Sequence, residues 1–133
     1  MSTYHSLVVS SQDFDRVQQA MTSSAGFSVA RLDSELARAQ IIEPKEVPRN
    51  LVTMNSQVTY ENLHSGKKHT VWLVYPRDAN IRENKISVLA PLGSALLGLS
   101  EGQEVEWLMP GGARRLKILD VAYQPEAAGD WDL

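Results

Sequence analysis

The sequence predicts an α+β protein, in which a short antiparallel helical hairpin precedes an antiparallel sheet with one short helix. Two apolar stripes at helical spacing occupy the first fifty residues, while alternating apolar residues and glycine-rich turn signals dominate the rest. Of the 133 residues, 43% are hydrophobic and 22% are charged, which is typical of a globular protein. We expect the helical part and its linker at residues 1–50 and a β-rich domain at residues 51–133.

The first helix is expected to begin at Ser10 or Ser11, where a hydroxyl can accept a hydrogen bond from a free backbone N–H group. Asp13 in the first turn complements the helix dipole. Phe14, Val17 and Met21 then recur on one face.

The second helix follows a break at residues 22–26. Its apolar stripe consists of Val29, Leu32, Leu36 and Ala39, and the proline at residue 44 is expected to end it. Helices of roughly 12–14 residues reach only ~20 Å, so this coiled-coil-like pair is a short arm. Its stripe packs either helix to helix or onto the following domain.

Alternating apolar residues predict the strands of the β-rich domain. One or two strands are expected around Val52, Met54, Val58 and Tyr60, a hairpin turn at residues 64–67, and a central strand around Val71, Leu73 and Tyr75. Residues 86–89 form a short strand, and Pro91 begins a helix that stops at Gly98. Residues 110–112 form a tight turn, and a change of apolar parity between Ile118 and Leu119 indicates either a bulge in the last strand or a strand covered on both sides.

Composition excludes several classes of protein. The chain has no cysteine, so it holds no disulfide, thiolate zinc site or cysteine nucleophile. Its formal charge is −3 with no basic domain, which argues against direct binding of DNA or RNA. Apolar runs fall short of the ~20 residues that cross a bilayer, and the first residues do not resemble a signal peptide. We therefore expect a cytoplasmic protein, with no membrane association, whose partner is another protein or a small molecule.

No catalytic, metal or cofactor site is predicted. His64 and His69 flank the expected hairpin turn without an evident third ligand, so we interpret them as surface residues. Trp131 lies in an acidic tail and either folds back on the sheet or anchors a partner, and we favour folding back.

Several motifs in a fixed order resemble a known family. The stretches ISVLAP at residues 86–91 and PGG at residues 110–112 resemble the C-terminal domain of the GreA/GreB transcript-cleavage factors. The stretches LVTMNS at residues 51–56, LVYP at residues 73–76 and YQPEAAGD at residues 123–130 resemble the related regulator of nucleoside diphosphate kinase family. The resemblance covers residues 51–133 and extends over residues 29–50.

The resemblance implies an FKBP-like fold and binding to RNA polymerase at the rim of its secondary channel. By position, the docking edge maps to Ser87, Leu89 and Pro91, with Leu89 standing where the Gre pattern has Asp or Asn. The helical arm would enter the channel with its tip first; the tip consists of Ser23, Ser24, Ala25 and Gly26. Contact with nucleic acid would then occur only through the polymerase, and we favour a monomer.

The resemblance does not extend to transcript cleavage, for which Gre factors place two acidic residues at the tip of a longer coiled coil. Residues 22–28 contain no Asp or Glu, and Asp33 and Glu35 point roughly 200° apart on a helix. We therefore expect a non-enzymatic transcription regulator that competes with Gre factors without stimulating cleavage. The alternatives are an FKBP-like peptidyl-prolyl isomerase and a direct regulator of nucleoside diphosphate kinase.

Overall fold

The structure, a computed structural model, describes residues 8–22, 27–109 and 112–129, and it confirms the α+β class. The first part contains strand β1 (Val8–Ser10), helix α1 (Ser11–Thr22), helix α2 (Phe27–Ala37) and strand β2 (Gln40–Ile42). We call these four elements the arm. Two consecutive helices are therefore present as predicted.

The two short strands of the arm were not predicted. They pair in parallel, with Val9 opposite Ile41, and therefore join the start of the arm to its end. The prediction that the second helix continues to residue 43 is wrong, because α2 ends at Ala37 and the chain becomes extended from Gln40.

The β-rich domain is a five-stranded sheet with two helices. Its strands are β3 (Gln57–Asn62), β4 (Lys68–Val74), β5 (Lys85–Ser87), β6 (Glu104–Met109) and β7 (Gly112–Tyr123), arranged in the order β5-β4-β3-β7-β6. Helix α3 (Pro91–Leu96) follows β5, and helix α4 (Pro125–Ala128) follows β7. Within the described residues, no helix is long and apolar enough to cross a membrane.

The sheet is mostly but not wholly antiparallel. The prediction was wrong for β5, which runs parallel to β4. Parallel neighbours need a connection that returns the chain to the same end of the sheet. Residues 75–84 make that return through two 3-10 turns, Pro76–Asp78 and Ile81–Glu83.

Two predicted details of the sheet are confirmed. Strands β3 and β4 form an antiparallel hairpin around residues 63–67. A bulge lies at Leu119, because Tyr60 pairs with Ile118 while the preceding residue of β3, Thr59, pairs with Asp120. Strands β6 and β7 also form an antiparallel pair up to Met109 and Gly112, and the predicted turn residues 110 and 111 lie outside the described residues.

The apolar core is continuous between the arm and the β-rich domain. Five buried arm residues belong to the same cluster as the inner face of the sheet and α3: Val9, Val17, Met21, Leu32 and Leu36. Of the two packing arrangements left open by the sequence, the stripe therefore packs onto the domain. Burial of apolar surface from both parts therefore holds the arm against the β-rich domain.

Residues 51–56 form a buried turn instead of the predicted strand. The N–H of Val52 donates to the carbonyl of Leu99 at 2.7 Å, but Asn55 has a left-handed φ of 64° that ends the extended run. Asparagine tolerates this conformation better than most residues. We call residues 53–56 the junction turn.

Three parts of the chain meet at the junction turn. The Thr53 hydroxyl donates to the Glu126 carboxylate of α4 at 2.7 Å, and the Ser56 hydroxyl accepts the Thr53 N–H at 3.0 Å. From the arm, the Asp13 carboxylate accepts the Met54 N–H at 3.1 Å. Two of the stretches that carry the family resemblance, residues 51–56 and 123–130, are therefore bonded to each other.

Gln124 strengthens the same junction. Its side chain is buried, and its amide nitrogen donates to the carbonyls of Pro48 at 2.7 Å and Leu51 at 2.6 Å. One side chain from the end of β7 thus satisfies two backbone acceptors where the linker enters the β-rich domain. Buried carbonyls without a partner are costly.

We expect Gln124→Ala to lower the free energy of unfolding by about 1–3 kcal/mol, because it leaves these carbonyls without their donor. Urea denaturation followed by circular dichroism measures the change. Gln18→Ala makes the same substitution at an exposed position of α1 and should stay within about 0.5 kcal/mol of the parent chain. Equal stabilities of the two variants would contradict this role for Gln124.

Candidate functional site

The three predicted docking residues lie on one tight turn between β5 and α3. The carbonyl of Ser87 accepts the N–H of Ala90 at 3.0 Å, which closes the turn, and the Ser87 hydroxyl accepts the N–H of Leu89 at 3.1 Å. Ser87, Leu89 and Pro91 are each partly exposed. We call residues 87–91 the docking turn.

The docking turn is attached to the core by the residue at its centre. Val88 is fully buried, and its N–H donates to the Val74 carbonyl at 2.8 Å. Its neighbour Leu89 also packs partly against the core. Val88 therefore attaches the turn to the core, while Ser87, Leu89 and Pro91 on either side of it are partly exposed.

Helix α3 fixes the other end of the docking turn. Pro91 occupies the first helical position, where its missing N–H costs no hydrogen bond. The N–H of Ser94 donates to the Ala90 carbonyl at 2.8 Å, and its hydroxyl donates to the Pro91 carbonyl at 3.0 Å. The predicted helix start at Pro91 is confirmed, whereas the helix ends at Leu96, two residues before Gly98, which has a φ of 81°.

Gly93 allows α3 to lie directly against the docking turn, a role that the sequence analysis missed. A Cβ atom at this position would overlap the Ser87 carbonyl oxygen and lie 2.8 Å from the Ser87 carbonyl carbon. The helix can approach the strand this closely only because residue 93 has no side chain. The signal in the sequence was a glycine inside a short helix, where it is intrinsically unfavourable.

The chemistry of the docking turn suits a protein surface. Residues 86–100 contain no charged residue, and Leu89, Pro91 and Leu92 supply partly exposed apolar surface. Such a surface offers neither the ligands of a metal ion nor the cations that bind phosphate. It can bury apolar groups of a partner without first removing water from a charge.

An exposed isoleucine precedes β5, in the loop that connects it to β4. Ile81 is 84% exposed at the start of its 3-10 turn. The Asn80 side chain accepts the N–H of Arg82 at 3.0 Å, and Lys85 forms an ion pair with Glu83 at 3.0 Å. These contacts order the loop beside the edge strand.

The predicted arm tip, consisting of Ser23, Ser24, Ala25 and Gly26, lies outside the described residues. Asp33 is exposed on α2 and Glu35 is partly exposed. Within the described residues, no three or more histidine, cysteine or acidic side chains form a cluster that could hold a metal ion.

Two histidines and the basic residues Arg115 and Lys117 of β7 lie on or near the surface of the sheet. His64 is exposed in the β3–β4 turn, and the His69 ring stacks on Tyr60 with centroids 5.2 Å apart. Arg115 pairs with Glu104 at 3.6 Å, and Lys117 stands opposite both Glu104 and Glu61 in the strand register. These basic residues face acidic neighbours on the sheet. Trp131 lies outside the described residues.

Comparison with protein families matches residues 47–123 to the C-terminal domain of the transcription elongation factors GreA/GreB. The chain is 41% identical to the regulator of nucleoside diphosphate kinase of Escherichia coli K12, over 94% of this chain and 95% of that protein. It is 37% identical to GreA of Syntrophus aciditrophicus, over 71% of this chain but only 58% of that factor.

Solved structures agree with these relatives. A GreA/GreB elongation factor from Nitrosomonas europaea has a TM-score of 0.75 and 40% identity, and the match covers 90% of this chain and 100% of that one. The GreA factor homolog 1 of Thermus thermophilus has a TM-score of 0.50 at 23% identity over 90% of this chain and 100% of that one, which supports the fold alone.

We expect Gly93→Ala to destabilise the protein by about 1–3 kcal/mol, because the added methyl group forces α3 away from Ser87. Amide chemical shifts should change mainly in residues 87–97, as measured by two-dimensional NMR. Gly66→Ala is the matched control, since a Cβ there meets nothing within 4 Å and the only cost is the strain of a φ of 75°. Unchanged shifts in the docking turn of Gly93→Ala would contradict the close approach.

Proposed function

This chain belongs to the GreA/GreB family of transcription elongation factors, and we propose that it binds RNA polymerase through the docking turn. The observation that carries the proposal is an uncharged, braced turn within residues 47–123, the part of the chain that matches the family. We further propose that the site of binding is the rim of the secondary channel. A polymerase partner places the protein in the cytoplasm, where we expect it to act as a monomer.

Rigidity of the docking turn supports this assignment. Hydrogen bonds within the turn hold Ser87 and Leu89, and α3 holds Pro91, so little conformational freedom remains to be lost on binding. Interfaces that are ordered before association bind more tightly for the same buried area. Leu89 supplies an apolar contact where the Gre pattern has the polar side chain of Asp or Asn.

We propose that the arm occupies the channel without stimulating transcript cleavage. A hard cation such as Mg²⁺ requires oxygen ligands, usually carboxylates, and residues 22–28 provide no Asp or Glu. Asp33 and Glu35 are two residues apart on α2 and point in different directions, so they cannot bind one ion together. The protein would therefore act by occupancy, as a non-enzymatic competitor of cleavage factors.

A second candidate function is favoured by the name of a relative. The Escherichia coli protein that is 41% identical is a regulator of nucleoside diphosphate kinase. Direct regulation predicts that the purified kinase retains this protein in the absence of polymerase. Retention by polymerase alone favours the first proposal.

We expect immobilised core RNA polymerase to retain the protein and an excess of GreA to displace it, because both would occupy one site. In a paused elongation complex, GreA should shorten the RNA, whereas this protein should not. A failure to bind, or binding that excess GreA leaves unchanged, would reject the shared site.

We expect Pro91→Ala to weaken polymerase binding about 5- to 30-fold, which corresponds to about 1–2 kcal/mol of lost contact. Alanine is tolerated at the first position of a helix, so α3 should remain folded. Pro44→Ala is the matched control, because Pro44 also begins a short helical turn and is partly exposed but lies in the linker. Fluorescence anisotropy titration measures both, and equal affinities for the two variants would contradict the docking role.

A further inference from the structure

Asp13 is the one arm residue whose charged group enters the boundary between the arm and the β-rich domain among the buried residues that the structure describes. It lies in the first turn of α1, and its N–H donates to the hydroxyl of Ser10, which caps the helix at 3.1 Å. The sequence analysis assigned Asp13 only to the helix dipole. Its side chain is 4% exposed, so it also has a partner inside the protein.

The carboxylate of Asp13 connects α1 to two segments of the β-rich domain. One oxygen accepts the backbone N–H of Met54 in the junction turn at 3.1 Å. The other faces the Tyr75 hydroxyl, which follows β4, at a longer distance of 3.5 Å. The apolar contacts of the arm are non-directional, whereas these contacts fix one position of α1 relative to the domain.

Charged and titratable groups from three elements face this carboxyl group. Arg16 approaches from the next turn of α1, Glu126 from α4 and Tyr75 from the end of β4. The pKa of Asp13 rises from 3.8 to about 7, chiefly because the group is buried and also because of the charge of Glu126, while the Met54 N–H, Arg16 and the Tyr75 hydroxyl oppose the rise. Burial and the neighbouring carboxyl group also raise the pKa of Tyr75, which therefore stays protonated.

We propose that Asp13 is a positioning residue that seats the arm on the β-rich domain, and that the arm is seated more firmly when this carboxyl group is protonated. The geometry supports both parts: release of the arm would break the two contacts, and seating buries a carboxyl group that is only 4% exposed, which penalises its charged form more than its neutral form. Any effect of the position of the arm on polymerase binding rests on the proposed function. The seating itself is a property of the free chain.

The direction of the pH dependence follows from the two states. A released arm has an Asp13 with an ordinary pKa of 3.8, whereas the seated arm holds it at about 7. Between these values the seated state binds a proton that the released state lacks, so the seating equilibrium weakens as pH rises through this range. The equilibrium constant between the seated and the released arm changes by at most about 1000-fold. It becomes constant at pH values above the pKa of the seated state.

Hydrogen exchange of the Met54 amide tests the proposal, because that amide donates directly to Asp13. We expect Met54 to exchange faster than Ile118, whose N–H donates to the Gln103 carbonyl inside the β-rich domain. The Met54 protection factor should fall by up to about 1000-fold between pH 4 and pH 7 and then level off. Protection of Met54 equal to that of Ile118 at every pH would overturn separate release of the arm.

Two substitutions of the same kind separate positioning from a general effect. Asp13→Asn keeps an oxygen that can accept the Met54 N–H but does not titrate, so its Met54 protection should not change between pH 4 and pH 7. Asp15→Asn alters an exposed residue of the same helix and should keep the profile of the parent chain. A parent-like profile in Asp13→Asn would overturn the proposal.

A measurement on the unsubstituted chain keeps the proposal testable if Asp13→Asn fails to fold. The carbon-13 shift of the Asp13 carboxyl group should titrate with a midpoint near 7, and a midpoint near 3.8 would overturn the proposal. Pro91→Ala should leave the Met54 profile unchanged, because the hydrogen bonds described for Asp13 go to Ser10, Met54 and Tyr75, which lie outside the docking turn. Loss of polymerase binding and loss of arm seating are therefore separate results.

Discussion

The junction turn at residues 53–56 is the constraint on which the rest of the structure depends. Its Met54 N–H donates a hydrogen bond to Asp13 of the arm, and its Thr53 hydroxyl donates one to Glu126 of α4. The same turn bonds to β4, where the N–H of Asn55 donates to the Leu73 carbonyl at 2.6 Å. Few other arrangements satisfy all of these groups at once, so the position of the arm is linked to that of the sheet.

The docking turn shows a second use of close backbone packing. The buried Val88 at the centre of the turn contacts the core, and Gly93 lets α3 approach β5 closely. Ser87, Leu89 and Pro91 remain partly exposed at the surface. The buried residues therefore determine the shape of the proposed interface, and the exposed ones its chemistry. Variation at the exposed positions can alter a partner's affinity while the turn keeps its geometry.

Much of this fold could be predicted because its signals are local. Alternation and turn residues located the β3–β4 hairpin, and the parity change at Ile118 and Leu119 located the bulge. The β1–β2 pair was missed because three-residue strands carry almost no periodicity and their partners lie about thirty residues apart. The burial of Asp13 depends on a distant chain segment, the turn at Met54, which no local pattern records. The close approach at Gly93 involves the nearby Ser87, and its one signal in the sequence was a glycine inside a short helix. The docking residues were located only through the family resemblance, and their role stays a prediction.

The absence of charge from residues 86–100 has a kinetic consequence. A surface without charges does not draw its partner in over long distances, so encounter would proceed at the unsteered rate of about 10⁵–10⁶ M⁻¹s⁻¹. Ionic strength would then have little effect on how often the two proteins meet. The lifetime of the complex would depend on dissociation, and hence on how well the apolar turn fits its partner. Competition with another factor for the same surface would be decided by residence time and abundance.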